Sequence, residues 1–214
     1  GIITEVGGEN SHTSIMARTH LLPAVTKVEN ATTILKNGEY VAINGGSGEI
    51  FENPTEEQQQ NLIKIQKDFI ESKVELVKYL GTWYEIARYE HFFEKDCKNV
   101  SANYSMMNEE TIKVINRCTK IQTNEKKEVI GRAYATDVTN SKLKVSFFRP
   151  FYGDYWVLIL DKNYDYVVVG TPNREYLWIL SRTSKLDEKI KNEILQKLPA
   201  LGFETSKLIW TIQE

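Results

Sequence analysis

The stretch that decides the fold is residues 81–88, which read Gly-Thr-Trp-Tyr-Glu-Ile-Ala-Arg. Gly81 allows the backbone to turn tightly where a short amphipathic strand begins, and the indole of Trp83 can close the end of a barrel with a large apolar disc. A Gly-x-Trp sequence alone also fits an ordinary core tryptophan after a turn. The pattern in the rest of the chain therefore has to separate the two interpretations.

Short strand-like segments follow at regular spacing, each bounded by turn residues. They are residues 98–106, 111–121, 127–137, 142–148, 155–160, 165–170 and 175–182. With the strand that begins at Gly81 they make eight, the number that closes an up-and-down antiparallel barrel around one small ligand. An amphipathic helix at 186–198, with Ser184 near its cap and Gly202 as its stop, should lie on the outside, followed by a ninth, outer strand at 207–212.

From about Val74 onward the chain resembles the lipocalins, and among them the bacterial lipocalins that are similar to apolipoprotein D. The resemblance rests on the Gly-x-Trp strand, on residues 145–153 (Val-Ser-Phe-Phe-Arg-Pro-Phe-Tyr-Gly), on the Asp/Tyr turn at 161–166 and on residues 177–183 (Leu-Trp-Ile-Leu-Ser-Arg-Thr). It implies a mainly β chain whose barrel binds a fatty acid, a lysophospholipid or a similar amphiphile. It also implies that Arg182 packs on Trp83 at the closed end.

Strand parity then gives a predicted set of ligand-contacting residues. If Arg182 points inward, alternate residues before it share its face. This gives Tyr176, Trp178 and Leu180 on the strand of Arg182. The same alternation on the other strands adds Tyr104, Val114, Asn116, Val145 and Phe147. Each of them can equally be plain filling of the barrel. His91, in the loop 90–96, is interpreted as a rim residue and not as a catalyst, because no nucleophile–base pair accompanies it.

The two cysteines, Cys97 and Cys118, flank a turn near residues 108–110 at similar distances, so they should lie across from each other on neighbouring strands. In an oxidising compartment they could form a disulfide that closes a loop of about 20 residues. In a cytosolic protein they would remain two buried thiols. Their spacing does not indicate a metal site.

The first 54 residues have a different pattern, with a strand at 2–6, a helix at 12–20 capped by Ser11, and short strands at 40–43 and 49–51. Asn53 as the cap and Pro54 at the first helical position are predicted to open a helical connector that spans 55–80. The sequence thus predicts a small α/β segment at 1–54, the connector, and the barrel at 81–214.

Residues 7–18 (Gly-Gly-Glu-Asn-Ser-His-Thr-Ser-Ile-Met-Ala-Arg) resemble the phosphohistidine motif of the phosphoenolpyruvate-utilising enzymes, in particular enzyme I of the bacterial sugar phosphotransferase system. A histidine at a helix N-terminus lies beside backbone N–H groups that can hold a phosphoryl group. By this resemblance His12 is the phosphoacceptor, Thr13 and Ser14 are hydroxyl donors, and Arg18 matches the motif's arginine. The family's phosphoenolpyruvate, magnesium and carrier-protein sites belong to other domains. We therefore expect His12 to be inactive on this chain alone.

The composition and net charge of the chain limit the classes of partner that it can bind. The 214 residues carry a formal net charge of −2, 41% hydrophobic and 26% charged residues, which is typical of a soluble globular protein without an electrostatic case for nucleic acid. The longest uncharged apolar run, 155–160, is too short to span a bilayer. Because the chain begins with Gly1, we expect that its true start has been removed or that it is a fragment.

Two functions are compatible with these sequence features. The first is a barrel that binds a small amphiphilic lipid without a cofactor, joined to an inactive phosphohistidine segment. The alternative is a fragment of a phosphoenolpyruvate-protein phosphotransferase that relays phosphate through His12, with a phosphocarrier protein as partner and magnesium only where the phosphoenolpyruvate-binding domain is present. The lipocalin resemblance implies the cell envelope, whereas the phosphotransferase resemblance implies the cytoplasm.

Overall fold

The computed structural model describes residues 1–8, 10–20, 22–91 and 94–214. The chain divides into two compact units, Gly1–Ser72 and Lys73–Glu214. The division falls inside the stretch predicted as a helical connector. Glu9 of the phosphohistidine-like motif and Phe92 and Phe93 of the predicted loop lie outside the described residues.

The N-terminal unit alternates short strands with helices. Its elements are β1 (Ile2–Thr4), α1 (His12–Thr19), β2 (Ala24–Thr26), α2 (Ala31–Ile34), β3 (Val41–Asn44), β4 (Glu49–Glu52) and α3 (Glu56–Ser72). Strands β1 and β2 are parallel, whereas β3 and β4 form an antiparallel pair. The predicted strand at 2–6 is shorter than expected, since it ends at Thr4.

The start of α3 differs from the prediction that Asn53 caps it. The backbone N–H of Gln58 donates to the Thr55 hydroxyl at 3.3 Å, and the N–H of Thr55 donates to the Gln58 side chain at 2.8 Å. This reciprocal pair is a capping box, which satisfies two otherwise orphaned N–H groups and so fixes the helix start at Glu56. Asn53 lies before it with a positive φ of 44°.

The second unit is an antiparallel barrel with one flanking helix. Its elements are α4 (Leu76–Tyr79), β5 (Gly81–Tyr89), β6 (Cys97–Met106), β7 (Ile112–Lys120), β8 (Lys126–Ala135), β9 (Lys142–Phe148), β10 (Phe151–Leu160), β11 (Tyr166–Gly170), β12 (Leu177–Ser181), α5 (Glu188–Lys197) and β13 (Leu208–Trp210). Each of the strands β5 to β12 pairs with the next, and β12 returns to pair with β5. The predicted eight-stranded up-and-down barrel with a C-terminal helix is therefore confirmed.

Several element boundaries differ from the sequence-based expectation, and three of them have a clear physical cause. Strand β10 begins at Phe151 and not at 155, because a register shift between Phe151 and Gly153 lets the strand continue past the glycine. Strand β12 begins at Leu177, since the N–H of Tyr176 is held in the preceding turn by the Thr171 hydroxyl at 3.1 Å. Helix α5 begins at Glu188, with the Asp187 carboxylate accepting from two backbone N–H groups as its cap.

Two apolar layers hold the barrel unit together. The inner layer fills the barrel and includes Trp83, Val114, Val167 and Leu180. The outer layer lies between α5 and the opposite face of β5, β11 and β12, where Ile194 of the helix and Leu198 directly after it are buried in one cluster with Ile179. Strand β13 pairs with the carboxyl half of β5, as the predicted ninth strand.

The closed end of the barrel is built around Trp83, whose side chain is fully buried. The guanidinium carbon of Arg182 lies 3.8 Å from the centre of the indole ring, and the indole N–H donates to the Tyr79 carbonyl at 2.8 Å. Arg182 also donates to the carbonyl oxygens of Thr82 at 3.0 Å and Lys78 at 2.6 Å. A side chain on Gly81, whose φ is +97°, would be strained and would press on Arg182.

Candidate ligand-binding calyx

The interior of the barrel above the closed end has an apolar wall. Six of the residues predicted to contact a ligand belong to this inner layer. Tyr104, Val114 and Leu180 are buried in it, and Val145, Phe147 and Trp178 are partly buried against it. The alternation of inward and outward residues on β7, β9 and β12 accounts for this placement, as strand parity predicts.

Three tyrosines form the floor of this interior. The hydroxyl of Tyr155 lies 2.7 Å from that of Tyr79 and 2.9 Å from that of Tyr104, so the three hydroxyls form a hydrogen-bonded chain. Burial raises the pKa of the Tyr104 hydroxyl to about 12 and raises the pKa values of Tyr79 and Tyr155 as well. All three hydroxyls are therefore protonated at neutral pH, and the floor is uncharged.

Asn116 is a polar residue in the otherwise apolar wall. It pairs with Val129 on β8 and with Ala102 on β6, on the face of β7 that carries Val114. Among the described residues its side-chain oxygen Oδ1 is buried without a hydrogen-bond partner. A buried carbonyl without a donor costs free energy, so this oxygen is suited to accept a hydrogen bond from a ligand.

Tyr176 and Trp178 are stacked near the open end, with ring centroids 6.0 Å apart. His91 contacts both rings, at 6.0 Å from Tyr176 and 5.3 Å from Trp178. The prediction of His91 as a rim residue is wrong in one respect, because its side chain is buried and not at the surface. It lies two residues after the end of β5.

A cluster of charged and polar side chains lies inside the barrel at its open end. We call Glu85, Arg88, His91, Glu94 and Thr211 the mouth cluster. Glu85 and Arg88 pair with the inward residues Leu180 and Trp178 of β12, and a register shift between Ile179 and Leu180 puts both charges on the inner face.

Close contacts join the members of the mouth cluster. The Arg88 guanidinium donates to the Glu85 carboxyl at 2.8 Å and to the backbone carbonyl of Glu94 at 2.8 Å. Nε2 of His91 lies 2.9 Å from the Glu94 carboxylate. The hydroxyl of Thr211 donates to the Glu85 carboxyl. Glu85 is 2% exposed and Arg88 5%, so this group of charges is almost completely removed from water.

The two carboxyl groups of the mouth cluster titrate in opposite directions. Burial, with the charge of Glu94 next to it, raises the pKa of Glu85 well above its ordinary value. Burial acts on Glu94 in the same sense, but hydrogen bonds from His91 and Glu85 and the charge of Arg88 outweigh it, so the pKa of Glu94 is lowered. The two carboxyl groups therefore differ in proton affinity, and the Glu94 carboxylate, the stronger acid of the two, lies 3.8 Å from Nε of Arg88.

Nε2 of His91 also lies 3.2 Å from the indole nitrogen of Trp178. One ring nitrogen cannot donate to Glu94 and accept from Trp178 at the same time. The ionised carboxylate is the stronger partner, which favours a proton on Nε2 directed at Glu94. Trp178 is thus close to the mouth cluster without being tightly bound by it.

The mouth cluster was missed from the sequence, although a signal was present. With Trp83 inward, Glu85 two residues later must also face inward. A charged residue at an inward strand position needs a buried partner, and Arg88 is the nearest cation. Strict alternation would place Arg88 on the outer face, so the bulge at Ile86 could not be anticipated from parity.

The remaining predicted residues lie away from the calyx wall. Cys97 and Cys118 form a disulfide between β6 and β7, with their Cα atoms 5.6 Å apart. His12 is the first residue of α1 and is exposed, and the Ser11 side chain caps that helix. The Ser14 hydroxyl, which the motif assigns as a donor, donates to the Gly8 carbonyl at 2.8 Å.

In the ranges that the structure describes, no group of three or more His, Cys, Asp or Glu side chains is arranged to hold a metal ion. None of the helices in these ranges is long and apolar enough to span a membrane.

Comparison with known proteins assigns the barrel unit. The model of the lipocalin-like domain matches residues 74–213. The chain belongs to the lipocalin-like family. The outer membrane lipoprotein Blc of Escherichia coli K12 is 44% identical over 137 residues, which cover 64% of this chain and 77% of that protein. The crystal structure of apocrustacyanin C1 superposes with a TM-score of 0.58 over 70% of this chain and 85% of its own, at 16% identity, and so shows the shared lipocalin fold alone.

The N-terminal unit of this lipocalin matches a second family. The model of the mobile domain of the phosphoenolpyruvate-utilising enzymes covers residues 1–48. The phosphoenolpyruvate-protein phosphotransferase of Haemophilus influenzae is 36% identical over 78 residues, which are 36% of this chain and only 14% of that protein. Both resemblances seen in the sequence are therefore confirmed, and the second covers a small part of its relative.

Proposed function

We propose that the barrel binds a single-chain amphiphile, a fatty acid or a lysophospholipid, with its acyl chain along the apolar wall and its polar end at the mouth cluster. The observation that carries this proposal is the division of the interior. Apolar side chains line its middle, and the charged groups are gathered at the open end. An amphiphile has the same division along its length.

The polar contacts of the mouth cluster suit a headgroup of either kind. Arg88 supplies a cation that can pair with a carboxylate or a phosphate, and Glu94 supplies an anion that can pair with an ammonium group. Asn116 Oδ1 would accept from a hydroxyl or an ammonium group of the ligand. Both charges are already paired in the structure, so a zwitterionic headgroup can replace these contacts without leaving a buried charge uncompensated.

The acyl chain should determine the affinity. Burial of apolar surface contributes about 0.8 kcal/mol per methylene, so affinity should rise with chain length until the space between the tyrosine floor and the mouth cluster is filled. A large sterol should bind poorly, because aromatic side chains line much of the interior.

The test is a titration of lipid-free protein with fatty acids and with lysophospholipids of increasing chain length, followed by tryptophan emission. A saturable change is expected that is largely lost in Trp178→Phe. The matched control is Trp156→Phe, since Trp156 contacts Lys142 outside the barrel and should leave the signal almost unchanged. No saturable change for any chain length would contradict the proposal and would mean that side chains alone fill the calyx.

A second function is suggested by α1, which begins at His12 with a capped N-terminus in a segment that matches the phosphohistidine family. We propose that His12 keeps the ancestral geometry but takes no phosphate from phosphoenolpyruvate on this chain alone, since only 14% of the phosphotransferase relative is matched. The protein should stay unlabelled with labelled phosphoenolpyruvate and magnesium. Acid-labile label that disappears in His12→Ala would refute this.

The barrel's place of action is proposed to be the cell envelope. The Escherichia coli relative is an outer membrane lipoprotein. The disulfide between Cys97 and Cys118 is consistent with an oxidising compartment. Fractionation of cells that produce the natural protein, with the disulfide assayed by thiol labelling, would test this placement. Recovery in the cytoplasm with two free thiols would contradict it.

A further inference from the structure

Three polar side chains lie in a row on the outer face of the barrel. Lys113 of β7 is directly opposite Arg132 of β8, and Arg132 is directly opposite Ser146 of β9. Their neighbours along the strands, such as Val114, Ala133 and Val145, belong to the inner layer. Because side chains alternate between the faces of a strand, the row of three points away from the calyx.

The row carries positive charge that is not balanced by a carboxylate among the residues that the structure describes. Like charges directly opposite each other on neighbouring strands are destabilising. Other cations on this face are paired, Arg117 with Glu128 at 2.8 Å and Lys144 with Asp154 at 2.8 Å. Within the described residues, Lys113, Arg132 and the nearby Arg149 form no ion pair with a carboxylate.

Ser146 adds an independent observation. Its side chain is 3% exposed, and its hydroxyl oxygen is buried without a hydrogen-bond partner among the described residues. A buried hydroxyl of this kind costs free energy until a partner is supplied. An anion between the two cations would accept its hydrogen bond.

The row lines a cavity of about 160 Å³, with Arg149 on its border and Met107 and Ile130 as apolar walls. The cavity is open to solvent on one side. It therefore combines three cationic side chains and one hydroxyl donor around a space that a small tetrahedral anion can enter.

We propose that this outer cavity is a phosphate-binding site. The guanidinium of Arg132 provides a planar pair of donors that match two phosphate oxygens, Lys113 adds a point charge, and Ser146 donates its hydroxyl hydrogen. The phosphate belongs either to a free phosphate compound or to a phospholipid headgroup. Gly131 and Phe147 also line the cavity, so it shares part of the calyx wall, but its polar groups are distinct from the mouth cluster and do not depend on the function proposed for the calyx.

The first experiment uses the full chain and inorganic phosphate at constant ionic strength, with chloride as the competing salt. Amide resonances of Gly131, Arg132 and Ser146 should shift and saturate with phosphate but not with chloride. Loss of one charge-assisted hydrogen bond should weaken binding by about tenfold or more, so Arg132→Gln and Ser146→Ala should both reduce the affinity. Arg117→Gln, which removes an equal charge from the same face, should have less than about a twofold effect.

The second experiment identifies the source of the phosphate. Co-sedimentation is measured with phosphatidylglycerol vesicles, with the same variants, because Phe148 and Phe151 beside Arg149 are 71% and 77% exposed and could reach a lipid surface. Sedimentation that is lost in Arg132→Gln and kept in Arg117→Gln assigns a lipid headgroup. Saturable binding of inorganic phosphate without sedimentation assigns a free phosphate compound. Neither saturable shifts nor variant-dependent sedimentation overturns the proposal.

Discussion

The two ends of the barrel differ in how their charged groups are held. At the closed end Arg182 stacks on Trp83, and its hydrogen bonds to the described residues go to backbone carbonyls, which do not titrate. At the open end Arg88 contacts two carboxyl groups, and burial raises the pKa of one of them, Glu85, well above its ordinary value. The closed end is thus built for rigidity, whereas the open end holds charges that a ligand or a change of pH can rearrange.

The largest expected effect tests the rigidity of the closed end. Trp83→Ala removes a fully buried indole and should lower the free energy of unfolding by about 3–5 kcal/mol, as for large-to-small core substitutions. Trp178→Ala, at the partly exposed open end, should cost clearly less. Urea unfolding of both variants measures the difference, and equal losses would contradict the distinction between the ends.

The disulfide allows a second comparison of the two ends, because Cys97 is the first residue of β6 and lies at the open end. Replacing both cysteines by serine should lower the free energy of unfolding by about 3 kcal/mol, the value expected for a loop of this length. The tryptophan emission of the closed end should be unchanged below the unfolding transition. The parent protein in reductant is the control, and a loss confined to the serine variant would show that the effect is not due to the disulfide.

A conservative change at the closed end should have a smaller effect. Arg182→Lys keeps the charge but loses the planar face that stacks on the indole, and the cost should be on the order of 0.5–2 kcal/mol. Lys142 over Trp156, a similar contact on the exposed outer face, should cost less when changed to Gln. If the two substitutions cost the same, burial does not strengthen the contact at Trp83.

The smallest effect is a change in the pH dependence of stability, and it should come from the open end. The raised pKa of Glu85 gives stability that is fully present below its ordinary value of 4.5 and is lost as pH rises through the folded-state pKa. Glu85→Gln, which mimics the protonated form, should remove this loss. Unfolding measured from about pH 4 to pH 8 checks it, and Arg182→Lys should keep the parent's pH profile.

The sequence pattern predicted the structure correctly at positions where a residue has a single structural role. The resemblance to the lipocalins placed Trp83 and Arg182 at the closed end, and alternation placed Val145 and Leu180 on the inner face. Pattern failed where the chain departs from regular geometry, as at the bulge in β5 that turns Arg88 inward. It also failed where distant residues meet, since Thr211, directly after β13, donates to Glu85 across a separation of 126 residues.

Ser146 shows a further limit of pattern. Its outward parity suggests a solvent-facing hydroxyl, yet the side chain is buried by its neighbours on the outer face. Only the packing of the side chains around it reveals the missing hydrogen-bond partner. For helix α3 the sequence did contain the correct signal. The Thr55 and Gln58 capping pair was visible, but the prediction used the competing Asn-Pro signal at residues 53 and 54.

The pairing that closes the barrel also governs how the chain folds. Arg88 pairs with Trp178 about 90 positions further along the chain, whereas the other neighbouring strands β5 to β12 follow one another directly. Contacts between distant residues form late and slow the folding rate, because a long loop must close first. The mouth cluster lies on this seam. A chain whose seam is still open therefore cannot hold the ligand, and its unpaired strand edges are available for aggregation until closure.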